Sequence, residues 1–316
     1  MKYVLIDTPY EMYQVIFSNS PYFTDSTYLK YGGIDSYEHI KWLKKCYENF
    51  PPEEKSKLKY IFEHTHQYKM MVETTKLDDD ASLPEIIDSL TSPRMQYRND
   101  AVKDSIREFL PYFYNNYLKD YMASNKKMFD DLAMRMMQQV RLNNPDILGF
   151  MENVSGIRFR KKYDICFYYT FRTAGAMGFT KGNTTISTLQ RHIKDYSMLF
   201  GTPFHEFSHQ LFQTFTRDSL FIAAAEKLKK DTNFFDYWDK LGKKSYDWTG
   251  WCEENLVQGF TKYLYLKYYK KELDVKTYVY DDDFYNYLKE NNFDGKKMSL
   301  ADVSIKFLES ISSKNL

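Results

Sequence analysis

Gly201-Thr202-Pro203-Phe204-His205-Glu206-Phe207-Ser208-His209-Gln210-Leu211-Phe212 is the stretch on which the reading of this chain turns. It contains H-E-x-x-H, the spacing in which two histidines on one helix can hold a zinc ion. Four residues of α-helix turn about 400°, so the two imidazoles point the same way, about 40° apart. Glu206 lies about 60° from His209 on the same projection, beside a metal without having to bind it. A third protein ligand and a water would complete a tetrahedron. Zinc lowers the pKa of such a water, and Glu206 would accept its proton as the water attacks a carbonyl.

The bland alternative is a helix with two unrelated histidines and a surface glutamate. The neighbourhood argues against it. The chain has only 6 His, and two of them fall here. Thr202, Pro203, Phe204, Phe207, Ser208, Gln210, Leu211 and Phe212 are all uncharged. Glu206 is therefore a lone charge in an apolar helix, which is costly unless it is paired or functional. Thr202 is expected to cap this helix and Pro203 to open it, with the helix running to about residue 215.

A third ligand is needed, and no histidine follows His209. It must then be a carboxylate. Glu254 is the best candidate, in Trp251-Cys252-Glu253-Glu254-Asn255-Leu256-Val257-Gln258. On a helix it shares a face with Trp251, Val257, Gln258, Thr261 and Tyr265, which is mostly apolar and expected to look inward. Glu253 is offset by about 100°, toward solvent or toward the groups that surround the metal ligands.

With His205, Glu206, His209 and Glu254 in place, the chain resembles the gluzincin zinc metallopeptidases, and the His-Glu-Phe-Ser-His wording is similar to that of uncharacterised bacterial zincin-like proteins. The resemblance covers roughly residues 160–270. It implies that His205, His209 and Glu254 are zinc ligands, one Zn2+ per chain, and that Glu206 is the catalytic base in hydrolysis of a peptide or protein substrate. Gln258 stands where the family often has an aspartate that orients a zinc-bound histidine. A glutamine carbonyl can accept the same imidazole N–H without charge. Glu254 follows His209 by 45 residues, further than in the compact members of the family. The resemblance also implies a substrate-binding edge strand around Gly178 and Phe179, and an oxyanion-stabilising tyrosine, for which Tyr246, Tyr263, Tyr265, Tyr278 and Tyr280 compete.

Composition limits the other possibilities. Hydrophobic residues make up 43% of the 316, enough for a substantial core. Basic residues number 44 and acidic residues 43, so no global field favours nucleic acid or an anionic membrane. Lys126-Lys127, Arg160-Lys161-Lys162, Lys243-Lys244 and Lys270-Lys271 read as solvated surface. Three cysteines without C-x-x-C make neither a disulfide framework nor a thiolate zinc site. With no signal peptide and no apolar run of membrane-spanning length, the chain is expected to be cytoplasmic, or secreted if a leader has been removed.

Residues 2–6 read as a short strand, followed by helices over 9–17, 36–49, 53–74, 84–92, 99–116 and 125–142. Met128, Leu132, Met136 and Met137 form a stripe that reads as packing. His64 and His66 are a weak metal pair, while His39 and His192 read as structural. Past Pro145 the pattern changes: strands over 163–171 and 184–188 form a hairpin-like sheet ahead of the motif helix. Helices follow over 219–230, 234–241, 246–271, 281–291 and 299–312. The expected fold is thus α+β and predominantly helical. A helical region over 1–150 precedes a zincin-like domain over 151–316, with a small sheet beside the H-E-x-x-H helix. The competing functional expectations are a catalytically inactive zincin fold that binds a partner, and a non-haem iron site of two His and one carboxylate, which gives Glu206 no role.

Overall fold

The computed structural model describes residues 1–18, 20, 23–170, 178–190, 199–243, 245–273 and 276–314. The fold is predominantly helical with a small three-stranded sheet, in the α+β class. The chain divides into two compact units: Met1–Asn143 with Cys166–Met177 and Ile186–Tyr196, and Asn144–Ile165 with Gly178–Thr185 and Ser197–Leu316.

The first unit is built from helices α1 (Lys2–Phe17), α2 (Asp25–Glu48), α3 (Pro52–His64), α4 (Gln67–Thr74), α5 (Leu83–Thr91), α6 (Ala101–Phe113) and α7 (Lys119–Asn143). The strand expected over residues 2–6 is part of α1. Lys2, Tyr3, Leu5, Ile6, Asp7, Thr8 and Pro9 are all buried, so the helix shows no polar face and its sequence imitates a buried strand. The α2 helix begins earlier than expected, and Gly33 kinks it with φ 68, a conformation that suits glycine. The helix expected over 53–74 breaks after His64, and His66 caps α4. No gap separates α6 from α7, because a π-helical turn over Tyr114–Leu118 joins them. Leu43, Leu58, Ile61, Ile106, Phe109 and Phe113 are fully buried in this core. His39 is structural here, bonded to Glu11 at 3.0 Å and to the Tyr121 hydroxyl at 3.0 Å. His192 lies outside the described residues.

In the second unit α8 (Ile147–Ser155) closes on Gly156 in the left-handed conformation. The strands of the sheet are β1 (Asp164–Thr170), β2 (Gly178–Lys181) and β3 (Thr184–Gln190), in the order β1-β3-β2, and of these only β2 belongs wholly to the second unit. Gly182, with φ 60, opens the two-residue turn between β2 and β3, the position where a tight hairpin favours glycine. Five helices complete the unit: α9 (Gly201–Phe212), α10 (Ser219–Lys227), α11 (Thr232–Tyr237), α12 (Trp248–Tyr269) and α13 (Asp281–Glu290), before the terminal α14 (Leu300–Lys314).

Helix α12 is the axis of this unit and packs against both α9 and α13. Asp247 caps its start by accepting from the Gly250 amide at 2.7 Å. Trp251, Leu256, Val257, Phe260 and Leu264 carry it into the core. At Gly259 an added Cβ would lie 2.7 Å from the Asp281 carbonyl, so the missing side chain lets the start of α13 sit directly on α12. Beside it, fully buried Lys262 pairs with fully buried Asp281 at 3.1 Å and with Asp282. Asp281 also accepts from the Thr277 amide at 2.8 Å, which secures the turn that leads into α13.

Candidate metal centre

Helix α9 presents two faces. Phe204, Phe207, Leu211 and Phe212 are fully buried. Burying each side chain of this size contributes about 1.5–3 kcal/mol. Their packing against rings such as Phe150, Tyr268, Phe159 and Tyr163 fixes the rotation of the helix. The other face carries His205, Glu206, His209 and Gln210, all partly exposed. The helix starts two residues earlier than expected, at Gly201 with Phe200 in the cap position. No side chain caps it, so Thr202 and Pro203 lie inside its first turn.

His205, His209 and Glu254 converge as expected. The His205 and His209 Nε2 atoms are 3.3 Å apart. Glu254 Oε2 lies 3.5 Å from His205 Nε2, and Oε1 lies 3.4 Å from His209 Nε2. A tetrahedral ion with zinc-like bonds of about 2.0–2.2 Å requires donor atoms roughly 3.3–3.6 Å apart. Each pair of side chains offers such a spacing, Glu254 through Oε2 toward His205 and through Oε1 toward His209, so these three residues could hold such an ion. No other metal-binding cluster occurs among the described residues. His64 bonds the Tyr60 carbonyl and His66 caps α4, so this pair shares no ligand position.

Each motif histidine is held through its other nitrogen. His205 Nδ1 donates to Gln258 Oε1 at 2.9 Å, where the sequence placed that residue. His209 Nδ1 donates to Glu253 Oε1 at 2.8 Å, and the Thr216 hydroxyl donates to Glu253 Oε2 at 2.7 Å. Of its two expected positions Glu253 takes the one against the histidine, 8% exposed. With Nδ1 donating, the neutral form of each ring carries its lone pair on Nε2, the form a metal requires. Thr216, which completes the support, carries no sequence signal of its own.

Burial works against a charge on His209, but its bond to Glu253 and the charges of Glu254, Glu206 and Glu253 outweigh it and hold the ring up to about 9. Burial likewise opposes ionisation of Glu254, and the nearby His205 and His209 overcome it to keep that carboxyl below its usual range. For Glu206 burial prevails and raises the carboxyl, which suits a group that must accept and return a proton.

Two of the five competing tyrosines reach this centre. The Tyr278 hydroxyl donates to Glu254 Oε2 at 3.1 Å. Tyr246 interacts with both Tyr278 and Glu254. Burial first, and then the Glu254 charge, push both phenols upward, so both are protonated donors at neutral pH. Tyr263 instead bonds the Phe293 carbonyl, and Tyr280 bonds Asp231.

Strand β2 flanks the motif helix. It is an edge strand of the sheet, and a Cβ on Gly178 would meet Thr202 Cγ2 at 2.4 Å and Glu206 Cγ at 2.9 Å. Only glycine allows the strand to approach Glu206 this closely. Phe179, next in the strand, is buried. On the His209 side a cavity of about 280 Å³ is lined by His209, Glu254, Tyr246, Gln213 and Arg217 among others. No helix among the described residues is long and apolar enough to cross a membrane. Comparisons with protein-family models, curated proteins and solved structures found no match to this chain.

Proposed function

We propose that the chain is a zinc-dependent peptidase with a zincin-like catalytic unit. The reading rests on one observation above the others: the His205 and His209 Nε2 atoms lie 3.3 Å apart beside Glu206, and the Glu254 carboxylate faces both, Oε2 at 3.5 Å from His205 and Oε1 at 3.4 Å from His209. Bound there, zinc would polarise a peptide carbonyl and acidify a water. Glu206 accepts the proton of the attacking water and returns it to the leaving amine. Tyr278 and Tyr246, which gather at Glu254, would donate to the oxygen on which negative charge develops. Gln258 and Glu253 keep the two imidazoles oriented. Strand β2, at the edge of the sheet among the described residues and beside Glu206, would offer main-chain pairing to an extended peptide.

The deciding experiment combines metal analysis with turnover. Purified protein should carry one zinc per chain, and Glu254→Ala should lose it. Glu206→Gln should retain zinc and lose peptide hydrolysis. Protein that takes up no zinc when zinc is supplied would overturn the metal reading. Full turnover by Glu206→Gln would overturn the mechanism, and zinc uptake without any hydrolysis would favour an inactive binding protein.

A further inference from the structure

Beside the metal cavity lies a second one, of about 240 Å³, with a different chemistry. Arg158, Arg160, Lys161 and Arg217 line it together with Gln210 and Gln213, and no carboxylate does. Arg158 is paired with Glu152. Lys161 donates to the Gly182 carbonyl at 2.8 Å, a contact that leaves its charge uncompensated. Among the described residues neither Arg160 nor Arg217 has a carboxylate partner. In a chain whose net charge is only +1, this is a local concentration of positive charge and not a reflection of composition.

The sequence showed half of it, as Arg160-Lys161-Lys162, and that half reads as ordinary surface. Folding adds Arg217 from the turn after α9, and Gln210 and Gln213 from the helix and its end. Gln213 and Arg217 line both cavities, so the basic cleft continues directly from the one that contains His209 and Glu254. The Gln210 carbonyl accepts from the Tyr163 hydroxyl at 2.9 Å, and its amide hydrogens remain as donors. Guanidinium and amide donors around one concavity match a carboxylate. The carboxylates of Glu253, Glu254 and Asp247 line the metal cavity itself and would repel one there.

We propose that this cleft binds carboxylates of an acidic peptide whose chain continues into the metal cavity, a proposal that rests on the peptidase reading and supplies its substrate class. Continuity with the metal cavity favours a peptide over a nucleic acid. The carboxylate could come from Asp or Glu side chains or from a free C-terminus, and one set of probes separates them.

The test is fluorescence anisotropy with the full-length chain and labelled ten-residue peptides of alternating Glu and Ala, or of Gln and Ala, each with a free or an amidated C-terminus. Measurements with and without chelator separate the cleft from direct contact with a metal. The Glu peptide should bind about tenfold more tightly than the Gln peptide at low ionic strength, as several charge pairs of modest strength would give. The difference should shrink in salt. Arg160→Gln with Arg217→Gln should abolish it while leaving the thermal midpoint unchanged, because both side chains are exposed. A preference that survives amidation assigns the cleft to side-chain carboxylates, and one that depends on the free terminus assigns it to the terminal carboxylate. Equal affinity for the two peptides overturns the proposal, as does a preference that persists in the double variant. Tighter binding of a ten-nucleotide dT oligomer, lost in that variant, would reassign the cleft to a phosphate backbone. Binding is read without turnover, so a chain that discriminates the peptides yet neither takes up zinc nor hydrolyses them overturns the peptidase reading alone.

Discussion

Gln258 and Glu253 support the two motif histidines unequally: His205 faces a neutral amide and His209 a buried carboxylate. The charge makes His209 the more electron-rich ligand. Glu253→Gln preserves an acceptor and removes the charge, so zinc affinity should fall about 10–100-fold in chelator competition. Unchanged affinity would mean that geometry alone matters at this position. Tyr278 is the donor nearest the ligand carboxylate, and Tyr278→Phe should lower kcat about 10²–10³-fold with little change in KM. A change in KM alone would make it a binding residue. At this scale His205, Glu206, His209, Glu254 and Gln258 were legible, because i,i+4 spacing sets a helical face before anything else folds. Tyr278 was one of five candidates that the sequence did not separate, since its approach to Glu254 depends on the turn before α13 and leaves no periodic trace among 29 tyrosines.

The element that decides the site is α12, which carries Glu253, Glu254 and Gln258 and receives α13 at Gly259. Gly259→Ala would drive a methyl into the Asp281 carbonyl and Phe284. Stability should fall by about 1–3 kcal/mol in denaturant titration. Turnover should fall with it, because the displaced turn holds Tyr278. A stability change near zero would show that α13 can shift without cost. The sequence located α12 and the strands β1 and β3 to within a few residues, since aromatic and β-branched runs are local signals. It misread α1, where burial on all sides erases the periodicity, and it divided α6 from α7, where a π turn continues the helix with an irregular hydrogen-bond pattern.

Across the whole molecule, a metal that binds only the folded chain must stabilise it. At a free zinc concentration about 100 times Kd the gain is about 2.7 kcal/mol. Chelation should therefore lower the thermal midpoint reversibly, and Glu254→Ala should melt low and ignore the chelator. Helical circular dichroism should survive chelation at room temperature, because the second unit has its own core in Phe204, Phe212, Phe260 and Phe284, all fully buried. Loss of the helical signal on chelation would make the ion a structural requirement.

The sequence by itself determined the motif helix, its two histidines, the glutamate between them and the helical class of the fold, because each follows from residue spacing over one or two turns. Only the tertiary structure decided how Glu254 closes on the histidines, that Glu253 turns inward to His209, which tyrosines reach the centre, and that Arg217 joins the 158–161 segment in one basic cleft. Those are contacts between residues distant in the chain, set by how α9, α12 and the loops pack, and packing is a property of the whole core that no local stretch encodes.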